Sequence, residues 1–89
     1  MTRLFVRHTV ADYSAWRKVY DAFDTERRHL GVKAHGVYRS SENGNDVTAW
    51  HDFETTDQAK VFMGSDALRH AMKNAGVQDA PSIWITNEA

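Results

Sequence analysis

Apolar and polar positions alternate along two stretches of the chain and recur every three or four residues along two others. Side chains of a strand point alternately to its two faces. In Arg3-Leu4-Phe5-Val6-Arg7-His8-Thr9-Val10, one face therefore carries Leu4, Val6, His8 and Val10, and the other Phe5, Arg7 and Thr9. The same reading of Val47 to Phe53 puts Val47, Ala49, His51 and Phe53 on one face and Thr48, Trp50 and Asp52 on the other. Each strand thus has a mainly aliphatic face interrupted by one histidine, His8 or His51.

Between these strands, Tyr13, Trp16, Tyr20, Phe23, Arg27 and Leu30 recur at helical spacing. They predict one helix from about Tyr13 to Leu30, with Asp12 as N-cap and Gly31 as its stop. A second strand is expected over Val32 to Ser40. The cluster Ser41-Glu42-Asn43-Gly44-Asn45-Asp46 then predicts a hairpin turn. Thr55 and Gln58 have the spacing of a capping box, so another helix starts there. Its apolar stripe changes phase between Phe62-Met63 and Leu68-Ala71-Met72, which predicts a kink or a new N-cap at Gly64-Ser65. Pro81 precedes a last strand, Ser82 to Thr86.

The order strand, helix, strand, strand, helix, strand points to an α+β, ferredoxin-like βαββαβ domain over residues 1–89, with two helices on one face of a four-stranded antiparallel sheet. The covered face should hold Leu4, Val6, Val10, Val47, Ala49, Phe53, Ile83 and Ile85. The other parity collects Phe5, Tyr38, Trp50 and Trp84, beside Arg7, Thr9, Thr48 and Asp52. No further element is left to cover this aromatic surface, and an exposed patch of that kind marks an interaction site. A second copy of the same sheet on a two-fold axis is the simplest cover.

Composition narrows the function classes. With no cysteine, neither a disulfide framework nor a thiolate metal site can form. A net charge of −1 lacks the basic field of a general nucleic-acid binder. No apolar run approaches a membrane span, and the first residues lack the apolar core of a signal peptide, so a cytoplasmic location is expected.

The segments Leu4-Phe5-Val6-Arg7-His8-Thr9-Val10-Ala11-Asp12-Tyr13, Ala15-Trp16-Arg17 and Ser65-Asp66-Ala67-Leu68-Arg69-His70-Ala71-Met72 resemble small bacterial proteins of the dimeric α/β-barrel superfamily, the antibiotic biosynthesis monooxygenase-like and "cyclase" proteins. The resemblance implies a homodimer with two sheets face to face, helices outside, and a pocket between each sheet and its own helices. It brings cofactor-independent oxygenases, haem-degrading enzymes, isomerases and proteins without known activity into view, and fold alone does not choose among them. Haem-degrading members use an Asn on the first strand and a Trp and His on the second helix. Here Phe62 and Met72 fall near the latter positions and the first strand has no Asn, so haem degradation is not expected.

His8 and His51 are the candidate catalytic residues, because imidazole is the natural general base near neutral pH. If in register, they could also bond each other. Trp16, Tyr20, Phe62, Met63 and His35 are candidate ligand-binding residues. Tyr20 would donate a hydrogen bond, and Phe62 and Met63 would form the far wall. His35 has ambiguous parity. Were it to join the other two histidines, three imidazoles could bind zinc or copper, but no local ligand motif supports a metal and none is expected. Arg7 and Asp52 are expected to pair with each other or across the dimer. Without an organic cofactor motif, catalysis would be cofactor-free, on an aromatic or polyketide-like molecule, as a monooxygenase or cyclase. The alternative is a non-catalytic ligand-binding or stress-related module with structural histidines, which a pocket too small for two fused rings would favour.

Overall fold

The computed structural model describes residues 1–89. The chain forms β1 (Thr2–Thr9), α1 (Tyr13–Ala22), α2 (Asp24–His29), β2 (Ala34–Arg39), β3 (Asp46–Phe53), α3 (Thr56–Met63), α4 (Asp66–Asn74) and β4 (Ser82–Asn87). The strands make one antiparallel sheet in the order β2-β3-β1-β4. This is the ferredoxin-like α+β arrangement that the element order predicts.

Each predicted helix is divided in two. The expected helix from Tyr13 to Leu30 breaks at Phe23, whose N–H is shared between the carbonyls of Val19 and Tyr20 at 3.2 and 3.3 Å. That sharing tightens one turn before the ladder resumes from Arg27 N–H to the Phe23 carbonyl at 2.9 Å. The later helix breaks where its stripe changes phase. Thr55 and Gln58 close a reciprocal capping box on α3, and Ser65 opens α4 by accepting from the Leu68 N–H. Gly31 and Gly76 follow α2 and α4 at φ of +90° and +75°, a region that suits glycine.

Burial along β1 and β3 alternates as the parity requires, and Leu4, Val47 and Phe53 have no exposed surface. The core divides into two clusters. One gathers Leu4, Val6, Phe23, Phe53, Ala59 and Phe62. The other gathers Val10, Trp16, Tyr20, Val47, Ala49 and Ala75. Ile83 departs from expectation. It pairs with Val6 and shares the core parity, yet it is 45% exposed, because β4 is an edge strand whose contact with the core is made by Ile85.

On the opposite face Phe5 and Trp84 stack with centroids 5.1 Å apart, Arg3 lies over the Trp50 ring at 4.0 Å, and Tyr38 and Trp84 stay 68% and 43% exposed. The expected pairing of Arg7 with Asp52 is replaced by a swap. Arg3 forks onto Asp52 at 2.7 and 2.9 Å, and Arg7 forks onto Asp46 at 3.0 and 2.7 Å. The β1–β3 register explains this, since it sets Arg3 opposite Asp52 and Arg7 opposite Thr48, two residues from Asp46 and four from Asp52. No helix is long and apolar enough to cross a membrane.

Candidate functional site

The covered face encloses an apolar cavity of about 60 Å³. Its floor is Val6, His8, Ala49 and His51 from the two central strands. Trp16, Tyr20, Phe23 and Arg27 of the first helical run form one wall, and Phe62 with Leu68, Ala71 and Met72 forms the other. The alternation of β1 and β3 turns both histidines to this side, at 6% and 5% exposure.

The histidines are not neighbours. Register places His8 opposite Val47 and His51 opposite Leu4, four residues apart along paired strands. At ~3.3 Å per residue that is about 13 Å, beyond any direct hydrogen bond. A run of aromatic rings bridges the gap instead: His8 meets Trp16 edge-on at 5.7 Å, Trp16 stacks on Tyr20 at 5.0 Å, and Tyr20 lies 6.1 Å from His51.

Their chemistry differs. Arg27 donates from Nε to His51 Nε2 at 3.2 Å. That nitrogen is therefore the acceptor and Nδ1 carries the ring proton, with no partner of its own. Burial, the Arg27 charge and His35 together lower the His51 pKa to about 3. An imidazole so depressed and so capped is a weak base. His8 is free of any such partner: neither Nδ1 nor Nε2 meets a hydrogen-bonding group. Burial lowers its pKa as well, against a small opposing pull from Asp79. Of the two predicted bases, His8 alone has a ring nitrogen free to take a proton.

His35 resolves onto the helix-covered parity, cross-strand from His51 and stacked on it at 5.8 Å. It lies outside the cavity wall. Its Nδ1 shares a hydrogen bond with the Tyr20 hydroxyl, and its Nε2 sits 3.4 Å from Asp24 Oδ1. The three histidines do not converge, and no group of three metal-ligating side chains comes together. Met63 also leaves the wall to which it was assigned. It follows Phe62 by one residue, about 100° round the helix, and is not among the residues that line the cavity, though it packs against the same core cluster as Phe62. Trp16, Tyr20 and Phe62 do line the cavity.

Arg27 is the residue that pattern reading passes over. It is 2% exposed, it lines the cavity, and its guanidinium lies 3.9 Å from the Tyr20 ring centre. Nη2 donates to the Tyr20 carbonyl and Nε to His51, while Nη1 makes no hydrogen bond. Burial lowers its pKa, opposed by Tyr20 and Asp24. Its place on the apolar stripe of the first helix was the available signal.

No protein-family model and no curated protein matches the sequence. Solved structures do match. SnoaB, a cofactor-independent oxygenase from Streptomyces nogalater, superimposes with a TM-score of 0.81 at 11% identity, over 99% of this chain and 92% of that one. A conserved protein from Methanosarcina mazei Go1 gives 0.80 at 15% identity, over 99% and 92%. An antibiotic biosynthesis monooxygenase gives 0.77 at 6% identity, over 100% and 99%. The chain has the antibiotic biosynthesis monooxygenase fold, as the residues resembling that superfamily imply. At these identities the likeness extends to the fold alone.

Proposed function

We propose that this chain is a homodimer that binds a small aromatic molecule beneath α4 and removes a proton from it with His8. The observation that carries the reading is the His8 ring, buried in an apolar cavity with both nitrogens lacking partners. A buried polar group without a partner is costly, and a ligand hydroxyl or acidic C–H supplies one. Desolvation keeps the imidazole neutral near pH 7, the form a general base needs. The resulting carbanion or phenolate is reactive without a cofactor. Where it meets dioxygen at a ring CH₂, one oxygen atom becomes the carbonyl and the other leaves as water, with the CH₂ supplying the electrons. SnoaB's description as a cofactor-independent oxygenase makes this chemistry the first to test.

The cavity must open for such a ligand, because ligand pockets start near ~300 Å³. Opening it by moving α4 would uncover the half-buried Leu68, Ala71 and Met72 and the core residues on which they pack. Dimerisation would use the Phe5–Trp50–Trp84 face, which the chain's own helices leave bare.

The small volume favours a second reading, a binding module without turnover in which His8 is structural. Oxygen uptake with anthrone, and thermal melts, on wild type and His8→Gln separate the two. The first reading predicts a folded variant whose turnover falls ~10²–10⁴-fold, the usual worth of a general base. A variant destabilised by ~1–3 kcal/mol that still handles anthrone as wild type does refutes it.

A further inference from the structure

A base that takes a proton becomes a cation, and the apolar cavity offers an imidazolium at His8 no counter-charge. A buried charge needs one. His8 also borders a second pocket, polar and about 190 Å³ in volume, with Arg7, Thr9, Asp46, Asp79 and Ser82 among its walls. Two of the three charges there cancel, because Arg7 forks onto Asp46. Asp79 is the carboxylate left without an ion-pair partner. It lies in the exposed stretch between α4 and β4. The β1–β4 ladder reaches only to Arg7 opposite Ser82, so the next bonds to β1 come from this stretch. Gln78 N–H donates to the Thr9 carbonyl at 2.9 Å, and Asp79 Oδ1 accepts from the Thr9 N–H at 3.2 Å. The carboxylate is thus fixed against the residue that follows His8, and its second oxygen has no hydrogen bond.

We propose that Asp79 is a positioning residue for the base, its carboxylate standing in the polar pocket to stabilise the imidazolium that His8 becomes when it takes a proton. This rests on His8 being the base and adds the residue that sets its strength. The proton moves from the ligand to a His8 ring nitrogen, with the electron pair of the broken bond left on the ligand. To reset, the ring N–H bond breaks, its pair stays on the imidazole, and the proton passes to solvent water in the polar pocket. No other reactant is needed. The electrostatics agree with this placing. Burial disfavours the charged ring, and Asp79 is the group whose charge opposes that effect. The other titratable groups facing His8 do not duplicate it. Arg7 and Asp46 are spent on each other. On the cavity side Tyr20, Arg27 and His51 stand toward the far end, and Leu68, Ala71 and Met72 of α4 do not titrate.

Asp79→Asn is the test, since the amide oxygen can still accept from the Thr9 N–H while the charge is gone. Asp79→Ser removes the charge by a second route, so the test does not hang on one variant folding. Asp57→Asn is the control. Asp57 is exposed on α3, which follows Phe53, and Phe53 pairs with Thr2. Thr2 is six residues from His8 along β1, about 20 Å. Nitrogen-15 NMR of the histidine rings, titrated with pH, reads the pair in the free protein without any ligand. The His8 pKa should fall by at least about half a unit in Asp79→Asn, a roughly threefold loss of proton affinity. Asp57→Asn should leave it in place, because a distant exposed charge is screened. Asp79→Glu should restore it. In oxygen uptake with anthrone, the acid limb of kcat/KM against pH should move down by the same half unit in Asp79→Asn, and its plateau should fall by up to about threefold. A merely structural Asp79 would not move that limb. An unmoved His8 pKa in folded Asp79→Asn or Asp79→Ser, or an equal fall in Asp57→Asn, overturns the proposal. A wild type that takes up no oxygen with anthrone, with the Asp79→Asn shift intact, refutes the turnover reading and leaves the His8–Asp79 pair standing.

Discussion

Acid should unfold this protein through His51, and the effect can be worked from its surroundings. The folded imidazole has a pKa of about 3, against 6.5 for the free side chain. Below the unfolded value, the denatured chain binds a proton that the native chain refuses. Stability is therefore fully present above about pH 6.5 and falls as pH drops toward 3. At pH 5 the unfolded ring is almost fully protonated and the native ring is neutral, which costs ~2 kcal/mol relative to pH 7. That is a large fraction of the 5–15 kcal/mol typical of a domain. His8 and His35 are lowered in the same direction, so the total loss should exceed this figure. His51→Gln keeps an oxygen acceptor for the Arg27 N–H but cannot titrate. Urea unfolding at fixed protein concentration, at pH 7, 6 and 5, should give the variant a shallower decline by ~2 kcal/mol over that span. Parallel declines for variant and wild type would refute the assignment of this cost to His51.

Two further outcomes follow from the sheet's other face. A methyl group at Gly36 would lie 2.6 Å from the Trp50 indole nitrogen, so Gly36→Ala should destabilise by ~1–3 kcal/mol in thermal melts, the range for overpacking; a neutral substitution would contradict the packing described. Trp84→Glu places a carboxylate in the proposed interface at a half-exposed position, and sedimentation should show a folded monomer where wild type is a dimer. Identical sedimentation of the two proteins would remove this face from the dimer.

The parity of β1 and β3 was legible because a half-buried strand has to alternate, and so were the caps at Asp12, Thr55 and Ser65, which are local hydrogen bonds. The distance between His8 and His51 was not. Register is a relation between two strands, and neither strand's own pattern states which residue faces which. For the same reason Arg7 and Asp52 share a face but not a pairing. Arg27 stood in view on the apolar stripe of the first helix. Its role depends on what surrounds it in space, above all His51 from β3, which helical spacing alone does not reveal. Met63 illustrates the opposite failure, since one step along α3 turns a side chain away from the cavity that Phe62 lines.

The central claim is that His8 meets a ligand in this cavity. It is tested most directly by nitrogen-15 NMR of the histidine rings during titration with para-nitrophenol. The account predicts that the His8 ring nitrogens shift as they gain a hydrogen-bonding partner, saturating together with the probe's own spectral change. Saturable binding that leaves the His8 nitrogens unmoved would contradict it.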